Sequence, residues 1–272
     1  MAAANEHDLG TTWESLPQGL TLPVITGDPR VQTAVLEGLA SAVNHRRWFV
    51  DLALPHLGEN PIEIGSGLGD YALEWAARFP RFTATEADPD RLEMLRDRLA
   101  EVPSVEVRQL LLPTTEEADY TGLVSYNVLE HIEDHVEALR SMGRLVRPGG
   151  AIVLIVPAFP FAMSPLDVAT GHFRRYTKGT LSDALHEAGL SIDQMCYVNA
   201  LGLLSYYLAT SIFRLVPKEG PLVMAYDRLV LPVTKAVETV FRPPWGQSVF
   251  SVARVPALGD APSLGPARRS SG

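Results

Sequence analysis

The sequence predicts an α/β fold built on a seven-stranded mixed sheet, with helices before the sheet and a helical insertion before its last strand. Between residues 61 and 156, short apolar runs alternate with helical patterns, an order typical of βαβ units. The first run, Pro61–Asp70 (PIEIGSGLGD), passes through three alternating glycines into a helix. The last run, Gln247–Val255, is expected to return antiparallel to the sheet centre.

The composition is that of an ordinary globular protein, with 46% hydrophobic and 20% charged residues among 272. This length suits one α/β domain with additional segments. The net charge of −9 argues against nucleic acid as a partner, because nucleic-acid-binding proteins usually carry a basic face. The single cysteine, Cys196, excludes an intramolecular disulfide. The first residues lack the pattern of a signal peptide, so we expect a cytoplasmic protein.

Residues 1–57 are predicted to form an N-terminal segment with two helices. Residues 1–19 carry no periodic pattern, whereas apolar residues recur every four positions from Asp28 and predict a first helix. A second helix is predicted at about Asn44–Leu57, with His45 and Trp48 near its start. Their aromatic rings would either cover a cationic ligand or pack against the sheet.

The glycine turn after the first strand predicts a ligand site, because bare backbone allows a ligand to approach the N–H groups. A dinucleotide site has the spacing G-x-G-x-x-G, but here the third glycine, Gly69, comes one residue early. Asp70 stands where that motif places its last glycine, and Glu63 adds a second negative charge. Both acids would repel a pyrophosphate and favour a cationic ligand.

Further strands and landmarks follow in order. They are the strand Arg81–Glu86 with its acidic end, the strand Val105–Leu112, the strand Gly122–Tyr126, the loop Asn127–Ile132 (NVLEHI), the turn Arg147–Gly150 (RPGG), the strand Ala151–Val156 and the strand Ser191–Val198. The spacing G-x-G-x-G after Glu63, together with NVLEHI and RPGG, resembles the class I S-adenosylmethionine (SAM) methyltransferases. That resemblance implies a Rossmann-like core at residues 58–198, completed by residues 247–255, with SAM as the cofactor.

The resemblance also implies which residues bind the cofactor. Glu86 lies 21 positions after Gly65, where an acidic residue accepts hydrogen bonds from the ribose hydroxyls. The Gly-Asp pair that relatives use for adenine is absent, so Leu111 and Leu112 are expected to hold that ring. The residues expected to bind the cofactor are Glu63, Gly65, Ser66, Gly67, Gly69, Asp70, Glu86, Ala87, Leu111, Leu112, Asn127, Val128, His45 and Trp48.

The substrate side is expected to lie in the loops after the fourth and fifth strands. A hydroxyl or amine acceptor must lose a proton, and histidine suits that task near pH 7. His131 and His172 are the candidates, with His131 slightly favoured, and either could instead be structural. Arg175 and Tyr176 would orient the acceptor or fix the loop through hydrogen bonds. His131 and His135 do not form the order H-E-x-x-H, so we expect no metal site.

Residues 199–246 form an insertion far longer than an ordinary loop. The apolar run Leu201–Val216 is too short and too polar for a membrane span, and Met224–Val240 is predicted to be a helix. The insertion is expected to serve as a lid over an apolar pocket, a homodimer face or, least favoured, a membrane-docking helix. The tail, residues 256–272, is rich in proline, glycine and serine and is predicted to be disordered.

The combined expectation is a SAM-dependent methyltransferase that acts on a small, partly apolar metabolite, with oxygen as the favoured acceptor. One alternative is a C-methyltransferase or cyclase acting on an isoprenoid or polyketide. The run Gly171–Thr177 (GHFRRYT) resembles methyltransferases of natural-product or glycoside pathways, and it is the only feature that suggests such a pathway. A second alternative is a SAM-binding or membrane-docked partner protein without catalytic activity.

Overall fold

The computed structural model describes residues 26–208 and 221–257 of the 272-residue chain. The helices are α1 (Pro29–Leu39), α2 (Val43–Ala53), α3 (Asp70–Ala76), α4 (Pro89–Leu99), α5 (His135–Leu145), α6 (Pro165–Ala169), α7 (Lys178–Glu187), α8 (Ala200–Tyr207), α9 (Pro221–Ala225) and α10 (Leu231–Val240). The strands are β1 (Pro61–Ile64), β2 (Phe82–Glu86), β3 (Val105–Gln109), β4 (Tyr120–Tyr126), β5 (Val146–Pro157), β6 (Ser191–Val198) and β7 (Ser248–Arg254).

The strands form one seven-stranded mixed sheet with the order β3-β2-β1-β4-β5-β7-β6. The five strands β1 to β5 run parallel, whereas β7 lies antiparallel between β5 and β6. The predicted mixed sheet and the return of the last strand are therefore confirmed. The strand order reverses between β1 and β4, and ligands in open α/β sheets bind outside the carboxyl ends of strands at such a point.

Two helical layers bury the two faces of the sheet. Alternate residues of β5 point to opposite faces, so Ile152 joins the apolar cluster with α5 and α7, while Val153 joins the cluster with α2, α3 and α4. Trp75 of α3 and Met142 of α5 are among the largest fully buried side chains in these two clusters. The central strands are buried on both faces, which explains why their sequences are nearly continuous apolar runs.

Three predicted boundaries differ from the structure. The second helix ends at Ala53, and a short 3-10 turn at Leu54–His56 takes the place of its last residues. Strand β3 ends at Gln109, so residues 110–112 form an irregular segment rather than the end of a strand. Strand β5 already begins at Val146, because Val146 pairs with Tyr120 across a bulge before the ladder resumes at Ala151.

The insertion is helical where the structure describes it. The predicted helix at Met224–Val240 is a continuous run of α9, a π-helical segment (Tyr226–Val230) and α10. No helix within the described ranges is both long and apolar enough to span a membrane. The second half of the apolar run, residues 209–216, lies outside those ranges, as do the predicted loose start at residues 1–19 and residues 258–272 of the predicted tail.

The insertion reaches back to the N-terminal helices through one buried carboxylate. Helix α2 begins after Ala42, which offers no side-chain cap. Asp227 supplies the cap from the insertion: its Oδ2 and Oδ1 accept hydrogen bonds from the backbone N–H groups of Asn44 (3.0 Å) and His45 (2.8 Å). A negative charge at a helix N-terminus is also favoured by the helix dipole.

The loss of a helix cap costs up to about 2 kcal/mol of folding free energy. In a chain of this size that cost corresponds to a fall of roughly 4–8 °C in the melting temperature, which we expect for the substitution Asp227→Ala. Asp51→Ala is the matched control, because Asp51 also joins α2 to the insertion, through an exposed ion pair with Lys235. Exposed pairs contribute about 0–1 kcal/mol, so the control should unfold close to wild type. Equal melting temperatures for both variants would contradict the capping role of Asp227.

Candidate functional site

One large cavity, of about 1420 Å³, lies at the carboxyl ends of the parallel strands. Each of these strands contributes its end or the loop that follows it to the lining. These residues are Ile64 at the end of β1 and Gly65 after it, Glu86 in β2, Leu110 after β3, Asn127 after β4 and Pro157 in β5. The insertion closes a further side with Gly202, Tyr206 and Tyr226. The cavity therefore joins the glycine turn, the loop after β4 and the insertion.

The glycine turn depends on residues without a Cβ atom. Gly65 has φ of 74°, and a Cβ built there would lie 2.4 Å from Cγ2 of Val128. Gly67 has φ of 56°, and its Cβ would touch Leu36 of α1 at 3.0 Å. Both glycines line the cavity, so the backbone of this turn is open to a ligand. Gly69 instead starts α3, next to Leu95, and does not line the cavity.

Glu63 does not line the cavity, contrary to the sequence-based prediction of cofactor contact. Its carboxylate is buried behind the glycine turn, where Oε2 accepts a hydrogen bond from Ser66 Oγ (2.7 Å) and Oε1 accepts one from Trp75 Nε1 (3.1 Å). Burial raises the pKa of Glu63 to about 7. Because β1 is buried on both faces, this side chain positions the turn rather than a ligand.

Glu86 lies at the cavity, as predicted, and it organises the site around it. Its Oε2 accepts a hydrogen bond from the backbone N–H of Gly67 at 2.9 Å. Its Oε1 accepts from the backbone N–H of Asp88 at 3.0 Å and forms an ion pair with Arg91 at 3.2 Å. Asp88 caps helix α4, which is an ordinary role for an acid at a helix start. The sequence analysis did not predict the ion pair between Arg91 and Glu86, or that Arg91 also lines the cavity.

Apolar residues line the neighbouring wall. Leu111 and Leu112 line the cavity together with Ala87, which agrees with their predicted positions. His45 lines it too, with its ring 4.1 Å from that of Phe49. Burial lowers the pKa of His45 to about 4, so its imidazole is neutral at pH 7. A neutral aromatic ring at this position is compatible with contact to a cationic ligand.

Trp48 does not line the cavity, so its position fits the second of its two predicted roles, packing against the sheet. The side chain is buried in the apolar cluster of α2, α3 and α4, 5.6 Å from the ring of Phe49. The physical reason is helical geometry: successive residues of an α-helix are turned by about 100°, so Trp48 points into the core while the next residue, Phe49, reaches the cavity.

A second group of polar residues, the Glu130–His131–His172 cluster, lines the cavity beyond the loop after β4. The rings of His131 and His172 meet edge to face at 4.5 Å. Nε2 of His172 lies 3.9 Å from Oε1 of Glu130. Backbone hydrogen bonds hold the loops together, since Phe173 N–H donates to the carbonyl of Glu130 (2.8 Å) and His172 N–H donates to that of Asp167 (2.8 Å). The two predicted histidines therefore share one site.

Behind this cluster, Asp167 joins His172 to Arg175. Arg175 donates two hydrogen bonds to Oδ1 of Asp167, at 3.1 and 2.8 Å, and its plane lies over the ring of Tyr206. Nδ1 of His172 lies 2.8 Å from the same oxygen, although the angle is poor for a hydrogen bond. Burial alone would raise the pKa of Asp167, but contact with His172 and Arg175 lowers it below its ordinary value.

Burial shifts the pKa values of two members of the cluster toward their uncharged forms. Burial, and next the neighbouring His172, lower the pKa of His131 to about 3, so this imidazole is neutral at pH 7. Burial raises the pKa of Glu130 to about 7. Sequence reasoning missed both Glu130 and Asp167: Glu130 lies in the NVLEHI loop but was given no role, and Asp167 was not singled out. For Asp167 the capping pattern S-x-x-D at Ser164–Asp167 was a hint, and the structure shows it as a capping box.

Tyr176 does not line the cavity, so of its two predicted roles, orienting the acceptor or fixing the loop, its position fits the second. Its side chain is 1% exposed, and its hydroxyl lies 3.1 Å from Nδ1 of His135. Its backbone bridges to Ala158 beside the end of β5, which turns the ring into the core. His135 therefore contacts Tyr176 and not His131. Although the two histidines are four residues apart, they do not form a common site.

The strand order, the glycine turn after β1 and the carboxylate at the end of β2 together define the class I methyltransferase, Rossmann-like fold. The family described as "methyltransferase domain" matches residues 44–195, more than half of the chain. The protein belongs to this methyltransferase family.

Named relatives and solved structures agree with this assignment. An uncharacterized methyltransferase of Mycobacterium tuberculosis is 30% identical over 120 residues, which cover 43% of this chain and 59% of the relative. The match thus spans about three fifths of that relative's length. A geranyl diphosphate methyltransferase in complex with SAM has a TM-score of 0.53 at 16% identity, covering 75% of this chain and 83% of the other. The [4+2]-cyclase SpnF has a TM-score of 0.51 at 17% identity, covering 78% and 80%. At these identities the structural likeness concerns the fold.

Proposed function

We propose that the protein is a SAM-dependent methyltransferase that methylates an oxygen of a small, partly apolar metabolite in the cytoplasm. One observation carries the proposal. The glycine turn with Glu86 and the Glu130–His131–His172 cluster line the same cavity, so a methyl donor and a polar acceptor group could bind in it together. Membership of the methyltransferase family supports SAM as the methyl donor. The Glu130–His131–His172 cluster supports a polar acceptor group.

The residues present fit an adenosyl sulfonium compound. Oε2 of Glu86 accepts one hydrogen bond, from Gly67, and a carboxylate oxygen can accept a second from a ribose hydroxyl. The open backbone at Gly65 and Gly67, next to the carboxylate of Asp70, suits a cationic amino acid group. The apolar wall at Leu111 and Leu112 suits a flat base. When bound, the cofactor supplies a methyl group on a cationic sulfur.

The chain's own residues would orient and activate the acceptor. Placing two reacting groups in a fixed geometry accounts for up to about 7–11 kcal/mol of a reaction barrier. His131, Asn127 and Val128 line the same cavity, and the insertion contributes Tyr206 and Tyr226 to its wall. A neutral imidazole near pH 7 can accept the proton of a hydroxyl group, and Glu130 adds an acceptor oxygen beside it.

The alternative with the same fold is a C-methyltransferase or cyclase, for which an aromatic, apolar pocket would be enough. The Glu130–His131–His172 cluster, with Glu130 buried and both histidines partly buried, favours the oxygen acceptor, because burying titratable groups is costly and an apolar reaction would not use them. The same cluster disfavours a binding protein without catalytic activity.

Two measurements test the proposed function. We expect the full chain to bind S-adenosylhomocysteine (SAH) at one molecule per chain in calorimetry. With radiolabelled SAM and a panel of alcohols, phenols, amines and carbon acceptors, we expect label in hydroxyl compounds. No heat with SAH would contradict the proposal, and label confined to carbon acceptors would replace it with the alternative.

A further inference from the structure

The carboxylate of Glu130 is fully buried, and Nε2 of His172, 3.9 Å away, is too far for a hydrogen bond. Its side chain is 0% exposed, and neither oxygen has a hydrogen-bond partner among the described residues. The nearest fixed cation, Arg175, is already paired: it donates to Asp167 and to the carbonyl of Ala158. An uncompensated buried carboxylate costs several kcal/mol, so such a group usually pairs with a cation or coordinates a metal.

Two imidazoles lie next to this carboxylate in an arrangement that suits metal binding. One ligand atom from each of Glu130, His131 and His172 can be chosen so that all three lie within 4.8 Å of one another. Nδ1 of His131 is buried and has no hydrogen-bond partner in the described ranges. Asp167 lies 2.8 Å from Nδ1 of His172, which leaves Nε2 directed to Glu130. A carboxylate behind a histidine is the usual partner of a metal-binding imidazole.

We propose that Glu130, His131 and His172 bind a divalent transition-metal cation at the acceptor end of the cavity. Two imidazole nitrogens and one carboxylate suit Mn²⁺, Fe²⁺, Co²⁺ or Zn²⁺, whereas Mg²⁺ and Ca²⁺ prefer oxygen ligands alone. The three ligands come from two loops that face the cavity, so coordination positions are left open toward it. The sequence analysis weighed only the His131 and His135 pair and expected no metal site, and in the structure His135 is engaged by Tyr176.

The inference rests on the proposed function and narrows its acceptor to a hydroxyl compound that can bind a cation. The bound cation lowers the pKa of the acceptor hydroxyl, which releases its proton to solvent water. The oxygen then uses a lone pair to form the O–CH₃ bond. The electron pair of the S–CH₃ bond stays on sulfur, which leaves as a neutral thioether. In this arrangement the histidines act as metal ligands. The cation makes the hydroxyl group acidic enough that no general base is required.

Cobalt provides a direct test that does not require the acceptor. Full-length protein is treated with a chelator, desalted and titrated with Co²⁺, with calorimetry and visible absorption as readouts. We expect one Co²⁺ per chain and absorption bands typical of nitrogen and oxygen ligands. Glu130→Gln and His172→Gln should each weaken Co²⁺ binding by at least about 100-fold, since even residues behind the ligands change affinity by about 10–100-fold. His186→Gln, an exposed histidine on α7, is the matched control and should bind Co²⁺ as wild type does.

The outcomes separate the metal site from the proposed function. SAH calorimetry on the same samples reports whether each variant is folded and whether the donor site is intact. Wild type that binds SAH but takes up no Co²⁺ overturns the metal site alone, as does unchanged Co²⁺ affinity in both Glu130→Gln and His172→Gln. Specific Co²⁺ uptake without SAH binding supports the metal site and contradicts the proposed donor.

Discussion

Replacing His131 with alanine is expected to lower kcat for methyl transfer by about 10²–10⁴-fold, the range for loss of a group that activates the acceptor. The expectation follows from the position of His131 in the cavity, next to His172 and Glu130. Glu86 and the glycine turn lie at the donor end and are unaffected, so the dissociation constant of SAH should change by less than about threefold. A large loss of turnover with unchanged SAH binding would show that His131 acts on the acceptor and not on the cofactor.

The design of this experiment distinguishes two ways in which His131 can act. His186→Ala serves as the matched control, since that exposed histidine has no contact with the cavity. If His131 is a metal ligand, a chelator should abolish wild-type turnover and added Mn²⁺ or Co²⁺ should restore it. If it is a general base, the chelator should leave turnover unchanged. Full turnover by His131→Ala would exclude both roles.

Replacing Glu86 with glutamine is expected to weaken SAH binding by about 100-fold. Hydrogen bonds to a charged group contribute about 1.5–3 kcal/mol each, and a loss of about 3 kcal/mol corresponds to this change in Kd. The glutamine side chain keeps the volume and one acceptor oxygen for the N–H of Gly67. It removes the charge that pairs with Arg91 and replaces one acceptor oxygen by a donor. The measurement is calorimetric titration with SAH.

Two controls accompany the Glu86 variant. Glu106→Gln changes an exposed acid on the neighbouring strand β3 and should leave SAH binding unchanged. Thermal unfolding shows whether the partly buried Arg91, which loses its ion pair, destabilises the fold. Tight SAH binding by a folded Glu86→Gln protein would show that the ribose is held elsewhere, and the donor site would then have to be reassigned.

Local sequence patterns predicted the frame of the molecule well. The seven strands, the antiparallel return of β7 and the glycine turn at Gly65–Gly69 all follow from residues that are close together in the chain. Glu86 was predicted at the cavity because its distance from the glycine turn is set by one βαβ unit. The structure also has helices in the described parts of the predicted insertion.

Predictions for single side chains were less successful where burial decides the direction of a side chain. Glu63 was expected at the ligand, and Trp48 and Tyr176 either at the ligand or in a packing role, and all three point into the interior. A motif fixes the position of a residue along a strand or helix. It does not fix which neighbouring element covers that residue, and this contact determines the face on which the side chain lies.

The sequence by itself determined the fold class, the family and the position of the glycine turn and Glu86, because each depends on short-range spacing within βα units. It predicted a substrate side in the loops after β4 and β5, with His131 and His172, and only the tertiary structure added Glu130 and Asp167 and brought these residues together. Glu130 and His131 follow β4, whereas Asp167, His172 and Arg175 follow β5, about forty residues later. These residues meet because β4 and β5 pair in parallel and end at the same edge of the sheet, a contact that no local pattern encodes.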